Sequence, residues 1–259
     1  MIRGLYTSGW SMLAIQKKMD IISNNMANVS TNGYKKDILV LESFPSVLTK
    51  IIKDYNGTPR SMRNIGTMEL GNDVGEVFTY YSQGQLTKTE NDLDMAIRDS
   101  SNAFFTVMME DAEGARREMY TRDGSFSKNS DNYLVTAEGY AVLGENGPII
   151  LGSGEFSVGE DGTIIQNDEV VDKLLITEFA DTTVLKKYGN NLIQADEDAQ
   201  TVAFTGTVQQ GFTELSNVNI VREMVDMITV MRSYEANQKV LQAMDGTLEK
   251  AVNEVGAVG

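Results

Sequence analysis

The chain of 259 residues has no cysteine and no histidine, and it contains only three prolines and one tryptophan. Without cysteine and histidine, zinc sites of the usual kind are excluded, and so are Cys–His and Ser–His–Asp nucleophilic sites. No apolar run approaches the roughly 20 residues that a membrane-spanning helix requires. We therefore expect a protein with no metal, no cofactor and no catalytic residue.

Positive charge is also scarce, because 22 basic residues stand against 37 acidic ones and the net charge is −15. Nucleic-acid binding proteins present a basic surface, so this balance argues against a nucleic-acid partner. At the N-terminus, Arg3 is followed by an amphipathic pattern that Lys17, Lys18 and Asp20 interrupt. The continuous apolar region of a cleavable signal peptide is missing there, so none is predicted.

An apolar stripe with helical spacing occupies the N-terminal region. Leu5, Met12, Met19 and Met26 recur every seven residues, and Ile15, Ile22 and Val29 follow three positions after the last three of them. This spacing predicts an amphipathic helix over residues 5–29 whose apolar face needs a partner helix. Ser8 is a candidate N-cap, and Asn32-Gly33 is a stop signal.

A second stripe with the same period lies near the C-terminus. Its members, spaced by seven and by three, are Ile220, Met227, Tyr234, Leu241 and Leu248, with Val230, Met244 and Ala251. A helix is predicted from Asn217 to about Val252, with Ser216 or Asn217 as its N-cap. At about 36 residues against about 25, this helix is the longer one, so part of it needs a partner beyond the N-terminal helix.

Between the stripes, the pattern changes to short strands separated by turns. Strand-type residues begin near Val74, and Asp123-Gly124 and Asp161-Gly162 are typical of tight turns, the former of a hairpin. Turn signals about every ten residues favour an antiparallel sandwich or barrel-like domain. The segment 34–44 is predicted to be extended, whereas 45–63 and 181–200 are predicted to be loops.

The predicted fold class is α+β, with a discontinuous coiled-coil-like helical domain from both termini and an inserted antiparallel all-β domain. Residues 1–65 form the N-terminal helix and extended connection, 66–210 the β-rich domain, and 211–259 the C-terminal helix. The two stripes either pair within one molecule or remain disordered until they fold against neighbouring subunits.

At this point the sequence resembles the axial proteins of the bacterial flagellum, which form its rod, hook and hook-associated segments. The resemblance covers nearly the whole chain in the correct order. Its four motifs are Asn24 to Lys35, Asp92 to Ile97 with Phe104-Phe105, Tyr120 to Phe126, and Ser216 to Asn219 followed by Met224 to Ile228 and Arg232 to Asn237. Ser100 to Ala103 depart from the family pattern, which usually has glycines before the paired phenylalanines.

The resemblance implies a structural, non-enzymatic subunit of the flagellar basal-body rod. Such proteins are exported unfolded through the flagellum-specific type III export apparatus without a cleaved signal. They polymerise helically with themselves and with other axial proteins of rod and hook, forming a tubular drive shaft between motor and hook. No nucleic acid and no small-molecule substrate is implied.

The expected assembly interface consists of the heptad faces of the two helices together with two asparagines. These residues are Leu5, Met12, Ile15, Met19, Ile22, Asn25, Met26, Asn28, Met227, Tyr234, Leu241 and Leu248. Helix-end and turn chemistry is the simpler role for the asparagines, and we favour it for Asn32 but favour an interface role for Asn25 and Asn28. Trp10 is interpreted as a packing or interface anchor.

Two other functions remain open at this stage. One is a β-sandwich binding module or adhesin whose helices pack only internally, since a stripe at helical spacing is most often core. The other is a glycan hydrolase that uses Asp92 and Asp94, which are two residues apart and would share a strand face. The hydrolase would require Asp92 or Asp94 to lie in a cleft.

Overall fold

A computed structural model describes residues 2–43, 47–52, 62–68, 71–110, 116–189, 191–196 and 198–255. The chain begins with helix α1, Ile2–Ala27, and the later helix α2 spans Ile220–Lys250 before one π-helical turn, Ala251–Val255. The described residues between the helices are rich in strands. The mixed fold with an N-terminal helix, a strand-rich middle and a C-terminal helix is therefore confirmed.

The strands are short, and their registers are antiparallel wherever a register is defined. Their bounds are β1 Lys36–Ser43, β2 Val47–Ile52, β3 Met62–Met68, β4 Asn72–Tyr80, β5 Leu86–Lys88, β6 Met95–Arg98, β7 Ala103–Glu110, β8 Arg116–Thr121, β9 Ser127–Lys128, β10 Leu134–Val135, β11 Ala141–Gly144, β12 Gly147–Pro148, β13 Phe156–Val158, β14 Thr163–Gln166, β15 Glu169–Lys173, β16 Ile176–Phe179, β17 Leu185–Tyr188, β18 Leu192–Ala195, β19 Thr201–Val202, β20 Thr207–Gln210 and β21 Phe212–Glu214.

The largest sheet is built around β7, which is buried on both faces. Its strand order is β17-β18-β8-β7-β11-β10-β9, with β12 beside β11, β16 beside β7, and β19 beside β16. Successive side chains of a strand point to opposite faces. Accordingly Phe105 and Val107 enter one hydrophobic cluster, and Phe104 enters a second one with Phe179. The remaining pairings are β13-β14-β15, β1-β4, β2-β3, β20-β6 and β21-β5.

The chain divides into two compact units. The helical unit comprises Met1–Asn24, Asp37–Phe78 and Val221–Gly259, and so combines most of α1 and α2 with β1 to β4. The β-rich unit comprises Asn25–Lys36 and Thr79–Ile220. Both units are discontinuous in sequence, because the chain leaves and re-enters each of them.

The helix boundaries correct two expectations about caps. Ser8 does not cap α1, because the helix already begins at Ile2 and Ser8 lies in its second turn. Asn217 does not cap α2 with its side chain. Its amide nitrogen donates instead to the carbonyl oxygens of Tyr80 and Ser82, and its Oδ1 accepts from the amide of Lys36. Ser216 does not cap α2 either, because its Oγ accepts a hydrogen bond from the amide of Val218, which precedes the helix.

Two segments expected to be loops contain strands. Within 45–63, strand β2 pairs with β3 across a bulge at Thr49 and Lys50, and residues 53–61 lie outside the described residues. Within 181–200, β17 and β18 form a hairpin with Leu185 opposite Ala195. Polar residues and two prolines led to the loop prediction for 45–63. In both segments the strands form because a neighbouring strand pairs with them, which local composition does not reveal.

The expected hairpin at Asp123-Gly124 is wrong. The flanking strands do not pair with each other, because β8 pairs with β7 and β18, and β9 pairs with β10. Gly124 is needed for a different reason, since a Cβ atom there would collide with the carbonyl oxygen of Met95. The segment therefore crosses closely over the start of β6 instead of reversing direction within one sheet.

Candidate assembly surface

In the helical unit, α1 and α2 contact each other close to one end of each helix. A Cβ atom on Gly4 would lie 2.5 Å from Cε of Met244, so the start of α1 touches the later part of α2. At the other end, the segment after α1 meets the segment before α2, where the amide of Asn217 donates to the carbonyl of Tyr34 at 3.4 Å. The two helices therefore run antiparallel.

The predicted N-terminal site residues differ in exposure. Ile22 and Asn25 are buried, and Leu5 is exposed at 36 %. Asn25 accepts a 3.1 Å hydrogen bond from the Tyr34 hydroxyl, and Asn28 accepts one of 3.2 Å from the Thr31 hydroxyl. The remaining members, all half-buried, are Met12, Ile15, Met19 and Met26. Both asparagines thus have local partners, which is the simpler role weighed above.

The predicted C-terminal site residues lie on one face of α2. Met227, Tyr234, Leu241 and Leu248 are all half-buried, and buried Val230 lies between the first two. Spacings of three and four residues place this set on a single stripe, which is the least exposed face of the helix. In α2 only Glu223 and Val230 are buried.

A second apolar face on each helix was missed by the sequence interpretation. On α1 it consists of Tyr6, Trp10 and Leu13, which are 63 %, 44 % and 55 % exposed. On α2 it consists of Val221, Met224, Val225, Ile228 and Met231, each at least 45 % exposed. The signal was present as a further i, i+4, i+7 pattern, but the more regular seven-residue stripe on the opposite face of each helix obscured it.

A buried cluster of charges joins the first and third family-like motifs to Glu214, which lies just before the fourth. Glu214, only 1 % exposed, accepts hydrogen bonds of 2.6 Å from both Lys35 Nζ and Arg122 Nε. Its Oε1 also accepts from the amide of Gly84 at 2.7 Å, and its backbone carbonyl accepts from the amide of Gly33 at 2.7 Å. One residue near the end of the β-rich unit therefore fixes three distant segments.

Arg122 satisfies its other donors on backbone carbonyls. Its Nη2 donates to Ser100 at 2.6 Å and to Ile97 at 3.2 Å, and its Nη1 donates to Ala103. Two of these acceptors, Ser100 and Ala103, lie in the stretch where the expected family glycines are replaced. A buried cation is tolerated when it is paired and its remaining protons are bonded, and both conditions hold for Arg122.

The cluster shifts the pKa values of its two titratable groups. Burial lowers the pKa of Lys35 from 10.5 to about 8, which the Glu214 charge only partly opposes. For Glu214, burial would raise the pKa, but the charges of Arg122 and Lys35 outweigh it and the pKa is lowered. Glu214 therefore remains ionised, and the pKa of Lys35 is lowered mainly by burial, with a smaller contribution from the charge of Arg122.

The backbone of Gly33 explains why the first motif contains Asn-Gly near its end. Its φ of +70° lies in the left-handed region that favours glycine. A Cβ atom there would lie 2.5 Å from the backbone nitrogen of Asp123. Asn32, just before it, donates to the Ser125 hydroxyl at 2.7 Å. The Asn-Gly pair therefore packs the end of the N-terminal motif against the Tyr120–Phe126 motif.

The acidic residues considered for hydrolysis do not form a pair. Asp92 lines an open groove of about 520 Å³ together with Glu90 and Glu155. Asp94 is buried and accepts a 3.1 Å hydrogen bond from the Asn91 side chain, so it does not line that groove. Across the described ranges, no group of three or more acidic side chains is placed to hold a metal ion.

Neither α1 nor α2, over the residues described for them, contains an apolar stretch long enough to cross a membrane.

Three family models match consecutive parts of the chain. Residues 5–35 match the flagella basal body rod protein, 100–209 the flagellar hook protein FlgE/F/G D1 domain, and 209–254 the flagellar basal body rod FlgEFG protein C-terminal region. The hook-basal body complex protein FlhO of Bacillus subtilis is 31% identical over 276 residues, with all of both chains covered. The chain belongs to the flagellar basal-body rod family.

Other members of this family match with similar identity. The rod protein FlgG of Buchnera aphidicola subsp. Acyrthosiphon pisum is 34% identical, with 96% of this chain and 98% of that protein covered. The rod protein FlgF of Caulobacter vibrioides is 31% identical, with 100% and 99% covered. The chain is thus a structural flagellar basal-body rod protein, and its family is one of axial components of the basal body.

Proposed function

We propose that this rod protein is a non-enzymatic subunit that polymerises through its terminal helices into the tubular drive shaft between motor and hook. Its neighbours are further copies in a helical homopolymer and other axial proteins of rod and hook. It reaches the basal body unfolded, through the flagellar export apparatus and without a cleaved signal. It binds neither nucleic acid nor a small-molecule substrate.

The main support for this proposal is that a single chain buries few side chains of its two helices. In α2, two of 31 residues are buried, while five large apolar side chains in its first three turns remain exposed. Isolated helices are marginal in water, and packing supplies most of their stability. Neighbouring subunits provide the packing that a single chain lacks, so folding of the helices is coupled to polymerisation.

In this proposal, residues 1–65 and 211–259 form the assembly domain and 66–210 form the inserted β-rich domain. The twelve predicted interface residues make a coiled-coil-like core, in which Leu5, Met12, Ile15, Met19, Ile22 and Met26 face Met227, Tyr234, Leu241 and Leu248. Methionine suits contacts that differ slightly between neighbours, because its thioether adapts to irregular gaps.

The alternative is a binding or adhesin module whose helices pack only internally. The contact between Gly4 and Met244 favours some internal packing. The exposed apolar faces on the other side of both helices argue against it, because large exposed apolar patches mark interaction sites.

The proposal is tested by replacing Met19 and Ile22 with glutamate in the full chain. We expect the β-rich unit to stay folded, whereas the variant is absent from purified basal bodies and the cells do not swim. The matched control places glutamate at Gln16 and Ser23, two exposed positions of α1, and so adds the same charge. Normal motility of the Met19/Ile22 variant would contradict the proposed interface.

A further inference from the structure

All sulfur in this chain belongs to methionine, because the sequence has 14 methionines and no cysteine. In the β-rich unit, Met95, Met109 and Met119 are buried. Among the methionines whose side chains the structure describes, only Met224 and Met231 of α2 are exposed, at 45 % and 47 %. An oxidant must reach the sulfur atom to convert methionine to its sulfoxide. These two residues are therefore the most accessible targets among the described methionines of a single chain.

Met224 and Met231 lie on the second apolar face of α2, seven residues or about two helical turns apart. Residues three and four positions away are the neighbours of a helical side chain. The neighbours of Met224 are Ile220, Val221, Met227 and Ile228. Those of Met231 are Met227, Ile228, Tyr234 and Glu235. None of the four side chains beside Met224 can donate a hydrogen bond, so a polar atom at this position finds no side-chain donor on its own helix.

Hydrogen peroxide converts a thioether to a sulfoxide by transferring one oxygen atom. The sulfur lone pair attacks one peroxide oxygen, and the S–O bond forms as the O–O bond breaks. The other oxygen takes both protons and leaves as water, so sulfur loses two electrons and the peroxide gains them. The product is polar, and reductases that are specific for each sulfoxide epimer return it to the thioether.

We propose that Met224 and Met231 form an oxidation-sensitive site that controls assembly. Peroxide converts them to sulfoxides in the unassembled chain, and the oxidised chain is not incorporated. This rests on the proposed function, in which neighbouring subunits cover the exposed faces of the helices. Burying a polar sulfoxide without a hydrogen-bond donor is unfavourable, and the side chains beside Met224 supply none. In an assembled subunit the same sulfur atoms are covered, so they are protected from the oxidant.

The reactivity is tested by treating the purified full chain with hydrogen peroxide, followed by proteolytic digestion and mass spectrometry. We expect Met224 and Met231 to gain an oxygen atom roughly tenfold faster than Met95 and Met119, because buried sulfur atoms react only when the β-rich unit opens. In purified basal bodies, the α2 pair should react as slowly as the buried pair. Equal rates for the two pairs in the single chain would overturn the inference.

The effect on assembly is tested with Met224→Gln and Met231→Gln together, since glutamine has a similar length and a polar end. The matched control carries Thr229→Gln and Ser233→Gln, which add the same two amides at exposed polar positions of α2. A second variant, Met224→Leu with Met231→Leu, keeps the face apolar at similar volume and cannot form a sulfoxide.

We expect the glutamine variant to be depleted in purified basal bodies by roughly tenfold relative to its control, because two polar groups would be buried there. In cells grown with peroxide, incorporation of the wild-type chain should fall, whereas that of the leucine variant should not. An equal fall for both chains overturns the inference, and this arm decides the question even where the glutamine variant is degraded.

A glutamine variant that assembles as well as its control also overturns the inference. If the wild-type chain is present in the same basal bodies, the proposed function remains intact. A wild-type chain that is absent from basal bodies without peroxide contradicts the proposed function, and the inference fails with it.

Discussion

The two units of this rod protein bury their side chains to very different extents. In the β-rich unit, Phe104 and Phe105 of the central strand are fully buried, and Phe105 packs edge-to-face on Phe126 with centroids 5.2 Å apart. In the helical unit, α2 buries two residues over its whole length. Burying one large apolar side chain contributes about 1.5–3 kcal/mol, so the β-rich unit has its own source of stability and the helices have little.

The difference separates two tasks within one chain. A unit that is stable alone keeps its shape in any surroundings, whereas helices that are marginal alone respond to the presence of neighbours. We therefore expect the β-rich unit to be folded in any surroundings and the helices to depend on neighbours, and this contrast can be tested in four ways.

The first test removes the buried carboxylate of the β-rich unit. In a Glu214→Gln variant, Lys35 and Arg122 keep their charges without the carboxylate that pairs with both. Removing one partner of a buried ion pair costs about 3–5 kcal/mol. We expect a loss of this size in the free energy of unfolding. It is measured by urea titration followed by far-ultraviolet circular dichroism.

The control for this test is Lys186→Ala. It removes an exposed pair with Asp196, whose side chains are 71% and 48% exposed. Such pairs contribute about 1 kcal/mol or less. If Glu214→Gln destabilises the protein no more than Lys186→Ala does, the cluster does not hold the β-rich unit together.

The second test compares amide hydrogen exchange in the dilute single chain. We expect amides of β7 and β8 to exchange roughly a hundredfold more slowly than those of residues 5–29 and 218–252, because local stability follows burial. In the assembled rod, the helical amides should become protected. Strong protection of both helices in a chain that does not self-associate would refute folding on assembly.

The third test uses pH and the buried lysine. The pKa of Lys35 is about 8 in the folded protein and 10.5 ordinarily. Between these values the unfolded chain holds a proton that the folded chain has lost, so stability rises with pH there, by at most about 1.4 kcal/mol per pH unit. Urea titrations between pH 7.5 and 10 should show this rise, and Lys35→Met should remove it.

Acid acts on the same cluster in the same direction, because a pKa lowered by folding makes the free energy of unfolding rise with pH for Glu214 as it does for Lys35. Because the pKa of Glu214 is lowered, its contribution is present above the ordinary value of 4.5 and is lost as pH falls through the folded value. In the Glu214→Gln variant, this acid-dependent part of the free energy of unfolding should disappear.

The fourth test has the smallest expected effect and concerns helix glycines. At Gly9 and Gly246 an added Cβ would meet no atom within 4 Å. Alanine there should stabilise the helices by about 0.5–1 kcal/mol, seen as increased helicity of the single chain. Gly4→Ala is the contrast, because its methyl group would displace the Met244 side chain and cancel the gain.

The order of elements was predictable from the sequence because periodicity is a local property. Seven-residue spacing gave both helices, and the half-buried positions of Met227, Tyr234 and Leu241 follow it. The extended segment after α1 was likewise found as β1. The strands β2, β17 and β18 were missed because their pairing partners, not their own composition, decide their conformation.

The buried cluster could not have been found in the same way. Lys35, Arg122 and Glu214 are far apart in sequence, and each looks like an ordinary surface charge in a chain with many charges. The family-like motifs marked two of the three positions, but as signature residues without a physical role. Only the fold brings Lys35 and Arg122 each within 2.6 Å of the Glu214 carboxylate.

The position of Glu214 along the chain also determines when the β-rich unit can close. Lys35 and Glu214 are 179 positions apart in the sequence, and Arg122 pairs with the same carboxylate. The carboxylate that pairs with both cations therefore lies in the last fifth of the chain. We expect a chain that ends before residue 214 to leave Lys35 and Arg122 without this shared partner, so that the β-rich unit cannot bury them in the same way.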